Sequence, residues 1–164
     1  MRDRIWYELA QAKHNLFYCN ILISYRRNLL NIFNIIILIF STAGIMGWTF
    51  WKEFPLISCF IVSGISLLKL VSPHIIPSEK QIEKLDEITD FYFEYYHKLE
   101  SLWYEINNEK YSEDEYQKMF YKIKFTEKNI NKLVNENIKK RNKKITKKSK
   151  EETDNYLIQT FNLQ

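Results

Sequence analysis

The sequence predicts an all-α integral membrane protein built from a two-helix transmembrane hairpin, an amphipathic helix before it and long cytoplasmic helices after it. Three observations carry that class. The apolar residues of the 164-residue chain are concentrated between Leu29 and Ile76, whereas the sequence from Ser78 onward is rich in Lys, Glu and Asn. The mean hydropathy of -0.37 therefore averages two unlike parts and describes neither. All three glycines (Gly44, Gly47, Gly64) and all three prolines (Pro55, Pro73, Pro77) fall between residues 44 and 77, so both flanks lack strong helix breakers and are expected to be long helices. Residues 28–51 are 24 positions without a charge, and residues 54–76 are 23 positions with only Lys69. Each run exceeds the roughly 20 residues that cross about 30 Å of hydrocarbon.

Residues 1–27 are expected to form a juxtamembrane amphipathic helix. Ile5, Leu9, Ala12, Leu16, Cys19 and Ile23 recur at helical spacing, and Trp6, Phe17 and Ile21 widen the stripe. Such a face either lies on the bilayer or packs on cytoplasmic partners.

Residues 28–51 and 54–76 follow as transmembrane helices 1 and 2. The connection Lys52-Glu53 is so short that the two helices must be antiparallel neighbours with both outer ends on one side. Pro55 suits the first turn of a helix, where its missing N–H costs nothing. Trp48, Phe50, Trp51 and Phe54 crowd the turn as aromatic rings do at a membrane interface, and Lys69 can snorkel to the opposite one. Arg26 and Arg27 precede the first span, Lys69 ends the second, and eight basic residues come later in the tail, against Lys52 alone in the turn. That asymmetry predicts a multi-pass protein of the inner membrane with both termini cytoplasmic. A signal peptide is not expected, because the first span begins late, is too long and is followed at once by a second.

Polar residues inside the first span are not scattered. At 100° per residue Asn31, Asn34, Leu38, Ser41, Thr42 and Ile45 fall within a sector of about 100°. Ser58, Val62, Ile65, Ser66, Lys69 and Ser72 make a similar, partly polar face on the second span. Two uses compete. The stripes line a water-filled pathway when several hairpins assemble, since two helices alone cannot enclose a pore; or their amides and hydroxyls bond across the hairpin, at about 0.6 kcal/mol each. Ala43 with Gly47 forms a small-xxx-small pair, and Gly44 and Gly64 are further small positions where a helix can pack closely.

Residues 78–138 are expected to form a cytoplasmic helical hairpin. Ser78 is a candidate N-cap, with Glu79 and Glu83 where carboxylates suit the helix dipole. Leu85, Tyr92, Leu99 and Ile106 occupy one heptad position and Ile88, Tyr95 and Leu102 the other, which calls for a helical partner. That partner is the N-terminal helix, the last helix or the same helix of another subunit. Asn107-Asn108 and Tyr111 mark a break, after which Ser112-Glu113-Asp114-Glu115 is a capping box. It opens a helix with Tyr116, Phe120, Ile123, Ile130 and Val134 on one face, interrupted by Glu127.

Residues 139–164 are a basic tail. Between Lys139 and Lys150 there are eight Lys or Arg and no acidic residue, while the whole chain carries +4, so the remainder carries −4. Basicity is local here. Lys139, Lys140, Arg141, Lys143 and Lys144, with Arg26 and Arg27, are candidate contacts for anionic lipid or phosphate, and a solvated run with no partner is the plainer alternative.

Catalytic signals are missing. Cys19 and Cys59 belong to no CxxC pair, and His14, His74 and His97 form no paired metal motif. Glu94 and His97 stand at i and i+3, as in di-iron bundles, but the second such pair is lacking. No glycine-rich phosphate loop or nucleophile elbow is present. The chain is expected not to be an enzyme and to need no cofactor.

The order of an amphipathic helix, Tyr25-Arg26-Arg27 entering a first span, a minimal turn, a second span and a long helix running from Glu83-Lys84-Leu85 to Tyr96-His97-Lys98-Leu99 resembles the SLATT family of bacterial two-helix membrane effectors. The likeness covers roughly residues 5 to 110 and is one of architecture and charge pattern. It implies a homo-oligomeric pore-forming or ion-channel effector in anti-phage defence, gated by a nucleotide-derived signal and acting by membrane disruption. Its implied partners are the lipid bilayer, further copies of the chain, and a nucleotide or oligonucleotide signal with its synthase. The alternatives are a non-conducting anchor that presents its cytoplasmic helices to a partner protein, and a holin-like lysis protein.

Overall fold

A computed structural model of the chain describes residues 1–50, 55–108 and 111–161; the side chains of residues 43–50, 55–58, 61, 74, 75 and 107 fall outside the description. Five helices follow one another: α1 (Arg2–Phe50), α2 (Pro55–Ile75), α3 (Glu79–Asn107), α4 (Glu113–Asn137) and α5 (Lys143–Phe161). No strand occurs among the described residues, so the chain is all-α. The Lys52-Glu53 turn, with Trp51 and Phe54, lies outside the described residues, as do the side chains of Ile45, Trp48 and Phe50. The chain divides into two compact units, one of Met1–Ile23 with Glu83–Gln164 and one of Ser24–Ile82.

The first unit is a helical core built on the N-terminal stripe. Ile5, Leu9, Ala12, Leu16, Cys19 and Ile23 are all buried, with Ile5 and Leu9 at 0% exposure. On α3 the heptad positions Leu85, Ile88, Tyr92, Tyr95, Leu99 and Leu102 are buried as well, and Tyr96 joins them. These two stripes choose between the alternatives left by sequence. The α1 face is covered by the chain's own helices, not laid on a bilayer, and the heptad face of α3 has α1 as a neighbour. Trp6 meets Trp103 at 5.1 Å, and the Tyr95 hydroxyl donates to Glu8 Oε1 at 3.0 Å.

A charged group sits inside this packing. Lys124 Nζ of α4 lies 2.6 Å from Glu8 Oε1 of α1 and 2.6 Å from Glu127 Oε2. Glu127, which interrupts the apolar stripe of α4, is thus the second carboxylate that a half-buried ammonium requires. Burial opposes the charge on Lys124, but the hydrogen bonds and charges of Glu127 and Glu8 outweigh it and hold its pKa above the ordinary lysine value. Burial, with Glu8 and Glu127 beside it, pushes the Tyr95 phenol up, so it remains a donor.

Local chemistry sets the helix ends. Ser78 N donates to Gln81 Oε1 at 3.2 Å and Gln81 N donates to Ser78 Oγ at 3.3 Å, a reciprocal capping box at the start of α3. At α4 the Glu115 carboxylate accepts from Ser112 N at 2.9 Å and from its hydroxyl at 2.8 Å. The segment expected to be a basic tail contains α5, capped by Asn142, whose Oδ1 accepts from Lys144 N at 2.9 Å. Ile145, Ser149, Thr153 and Leu157 recur every fourth residue along α5 and are buried.

The second unit holds the rest of α1, α2 and the start of α3. No break separates residues 27 and 28, since α1 runs through them. Among the described residues one stretch, Arg2–Thr42, is long and apolar enough to cross a membrane, and 11% of its most apolar part is buried; Val62–Pro73 is a shorter apolar helix. Ile32, Ile35, Leu38, Ile39, Phe60, Leu67 and Leu70 are all exposed. In the first unit Ile5, Leu9, Leu85, Ile88, Leu99 and Phe120 are inside.

If Leu99 is core and Phe125 surface, Leu99→Ala should cost about 2–5 kcal/mol of stability and Phe125→Ala no more than about 0.5 kcal/mol. Urea unfolding followed by the fluorescence of Trp6 and Trp103, with Trp48 and Trp51 replaced by Phe, measures both, and equal costs would contradict the assignment.

Candidate functional site

Two regions carry the residues that sequence singled out, and each lies within its own unit. In the second, Asn31, Asn34, Leu38 and Thr42 are exposed and Ser41 is half-buried. The Thr42 hydroxyl turns back on its own helix, donating to Leu38 O at 3.0 Å and Ile39 O at 2.9 Å. Ser66 and Ser72 of α2 behave alike, donating to Val62 O and Lys69 O. Hydroxyls satisfied in this way make no demand on a neighbouring helix. Among the described residues Asn31 and Asn34 have no such local acceptor, and both stand exposed on α1. A Cβ placed on Gly64 would meet nothing within 4 Å among the described residues. The side chains at Ala43, Gly44 and Gly47 lie outside the described residues, and Arg26 and Arg27 both have interaction partners.

In the first unit the basic segment is exposed from Lys139 to Lys144, and Arg141 differs from the lysines in its partners. Lys139, Lys140, Lys143, Lys144, Lys147, Lys148 and Lys150 are exposed. Lys147 and Lys148 reach Glu151 and Glu152 one turn on, at 3.9 and 3.8 Å. Arg141 instead donates from its guanidinium to Asn15 Oδ1 at 2.9 Å and stands 5.1 Å from the Tyr18 ring centre. Asn142 N donates to the Tyr18 hydroxyl at 3.0 Å. Arg141 is therefore occupied in holding the turn before α5 to α1, and the exposed lysines around it form a cationic surface.

Sequence reasoning missed what lies beneath that surface. Lys13, 8% exposed, points its ammonium at the rings of Tyr156 (3.6 Å), Tyr96 (4.2 Å) and Phe17 (5.2 Å). The Tyr96 hydroxyl donates to Glu100 Oε1 at 2.6 Å and lies 3.1 Å from the Tyr156 hydroxyl. Burial, then the bonds to Glu100 and Tyr156, push the Tyr96 phenol up, so that ring stays neutral and faces the cation with its π cloud. The spacing of Lys13 on the apolar stripe was the available signal. A lysine between Ala12 and Leu16 on the buried side demands a partner, and the tyrosines of α3 and α5 provide it.

The side chains with catalytic potential are otherwise engaged. His97 is exposed and pairs with Glu100 at 3.1 Å, while Glu94 pairs with Lys98 at 3.2 Å. Burial pushes the Cys19 thiol up to about 11, away from thiolate chemistry. Among the described residues no group of three or more His, Cys, Asp or Glu is placed to hold a metal ion.

Arg141→Ala should raise hydrogen exchange in the first turns of α5 about tenfold, the loss of one charge-assisted hydrogen bond, and leave α3 unchanged. Exchange mass spectrometry reads both segments, and an unaltered α5 would contradict the role given to Arg141. No protein-family model, no curated protein and no solved structure matches this chain.

Proposed function

We propose that the chain is a homo-oligomeric pore or channel effector of a bacterial inner membrane, both termini cytoplasmic, acting in anti-phage defence under a nucleotide-derived signal. The observation that carries the proposal is the pair of exposed amides, Asn31 and Asn34, on a helix surface otherwise made of exposed Ile, Leu and Phe. Surrounding hydrocarbon favours the aliphatic residues and penalises each unbonded amide by roughly 2–7 kcal/mol. Assembly of several copies with the stripe of Asn31, Asn34, Leu38, Ser41 and Thr42 turned inward removes that penalty by giving the amides water or each other. Gly64, with open space beside it, allows a helix of another copy to approach. The exposed lysines of 139–150 suit anionic headgroups, at about 1 kcal/mol for each charge that reaches the surface. The defence setting and the nucleotide signal rest on the resemblance to the SLATT family.

A second reading, a non-conducting anchor, is favoured by one observation. The unit of Met1–Ile23 with Glu83–Gln164 has a closed core of its own and carries the strongest charge cluster on its surface. Such a unit is suited to present a binding face whether or not the apolar helices conduct.

Expression in bacteria with a potential-sensitive dye separates the two. The pore reading expects wild type to depolarise the cells and Asn34→Leu to abolish most of the effect while remaining in the membrane. Equal depolarisation by wild type and Asn34→Leu would remove the conduit from this stripe. An unchanged potential with both, even when neighbouring genes are supplied, would favour the anchor.

A further inference from the structure

We propose that α5 is a proton-released clasp, in which uptake of a proton by His14 in the cleft between α1 and α5 weakens the docking of α5 on its unit. The inference concerns the first unit alone and stands apart from the pore reading. The cleft, of about 270 Å³, is lined by Tyr7, Gln11 and His14 of α1 and by Lys150, Asp154 and Leu157 of α5. His14 Nδ1 is buried there and has no hydrogen-bond partner. As a bare nitrogen in the neutral ring it costs one unmade bond; protonated, it becomes a buried N–H donor with no acceptor, beside added charge.

The surroundings are unfavourable to that charge. Arg141 from the turn before α5 and Lys150 on α5 oppose it, and Asp154 on α5 favours it, as does a bond from the ring to the Ser149 backbone. Tyr7 is the titratable neighbour on α1. Burial first and Arg141 second prevail, holding the His14 pKa below 6.5. A depressed histidine binds its proton more readily when α5 is undocked. Docking is therefore strongest above pH 6.5 and weakens as pH falls from there toward the docked value.

The opening is read on α5 because His14 faces Lys150 and Asp154 of that helix across the cleft. The buried stripe of α5 contains only two large aliphatics, Ile145 and Leu157. The buried hydroxyls of Thr153 and Ser149 donate to Ser149 O at 2.7 Å and Thr146 O at 3.0 Å, within α5 itself. Lys143 and Lys144 occupy its first turn, where the helix dipole repels cations. A helix held in this way opens locally before the core of α1 and α3 does.

Hydrogen exchange of the full chain in nanodiscs of neutral lipid, between about pH 5 and about pH 8 and corrected for intrinsic exchange, reads the opening of α5 against that of α3. The opening constant of α5 should rise below pH 6.5 by up to tenfold per pH unit, the limit for one proton. His14→Gln should abolish that rise and Lys150→Gln should reduce it. A flat wild-type profile overturns the proposal, as does an equal rise in His14→Gln. If His14→Gln does not fold, an undiminished rise in the exposed Lys150→Gln variant overturns it.

Discussion

Burial of one face of α1 between Ile5 and Ile23 is the constraint on which the first unit depends, because every other helix of that unit finds its place against it. Placing that face inside also draws in Glu8 and Lys13, which flank the stripe on its two edges. Each then dictates a partner elsewhere. Glu8 is met by Lys124 of α4 and the Tyr95 hydroxyl of α3, while Lys13 is met by rings of α3 and α5. Opposite charges on α1 are thus neutralised by different means, one by a salt bridge with a shared third group and one by π faces. Polar groups that must be satisfied specify orientation more narrowly than aliphatic contact does.

Most of the helical architecture was legible because the signals were periodic. The α1 stripe, the α3 heptads, the Ser78 cap and the Ser112–Glu115 box are each a spacing of residue types whose physics is local. Two things were hidden. Helix α5 was obscured because its buried face alternates Ile145 and Leu157 with Ser149 and Thr153, and because the lysine run dominates its composition. The partner of the α3 heptads was hidden because a heptad names the geometry of an interface and not the chain that fills it. The continuity of α1 through residue 27 was not marked either: Arg26 and Arg27 signal a change of solvent, and a change of solvent does not end a helix.

The two units make opposite use of the same residues. In one, Leu and Ile are sealed among aromatic rings and paired charges; in the other they stand exposed along α1 and α2. A surface of that kind is stable only under a bilayer or other apolar cover. Amides interspersed on it ask in turn for water or for a second copy, which is where oligomerisation enters the account. In the pore reading the charged unit is the part that faces water.

The central claim, that the apolar segment lies in a bilayer, is tested most directly at Cys59, which is exposed on α2 while Cys19 is buried. In membrane vesicles bearing the Cys19→Ser variant, a water-soluble maleimide should leave Cys59 unmodified until the protein is denatured. Modification of Cys59 in intact vesicles at the rate of a free thiol would contradict the account.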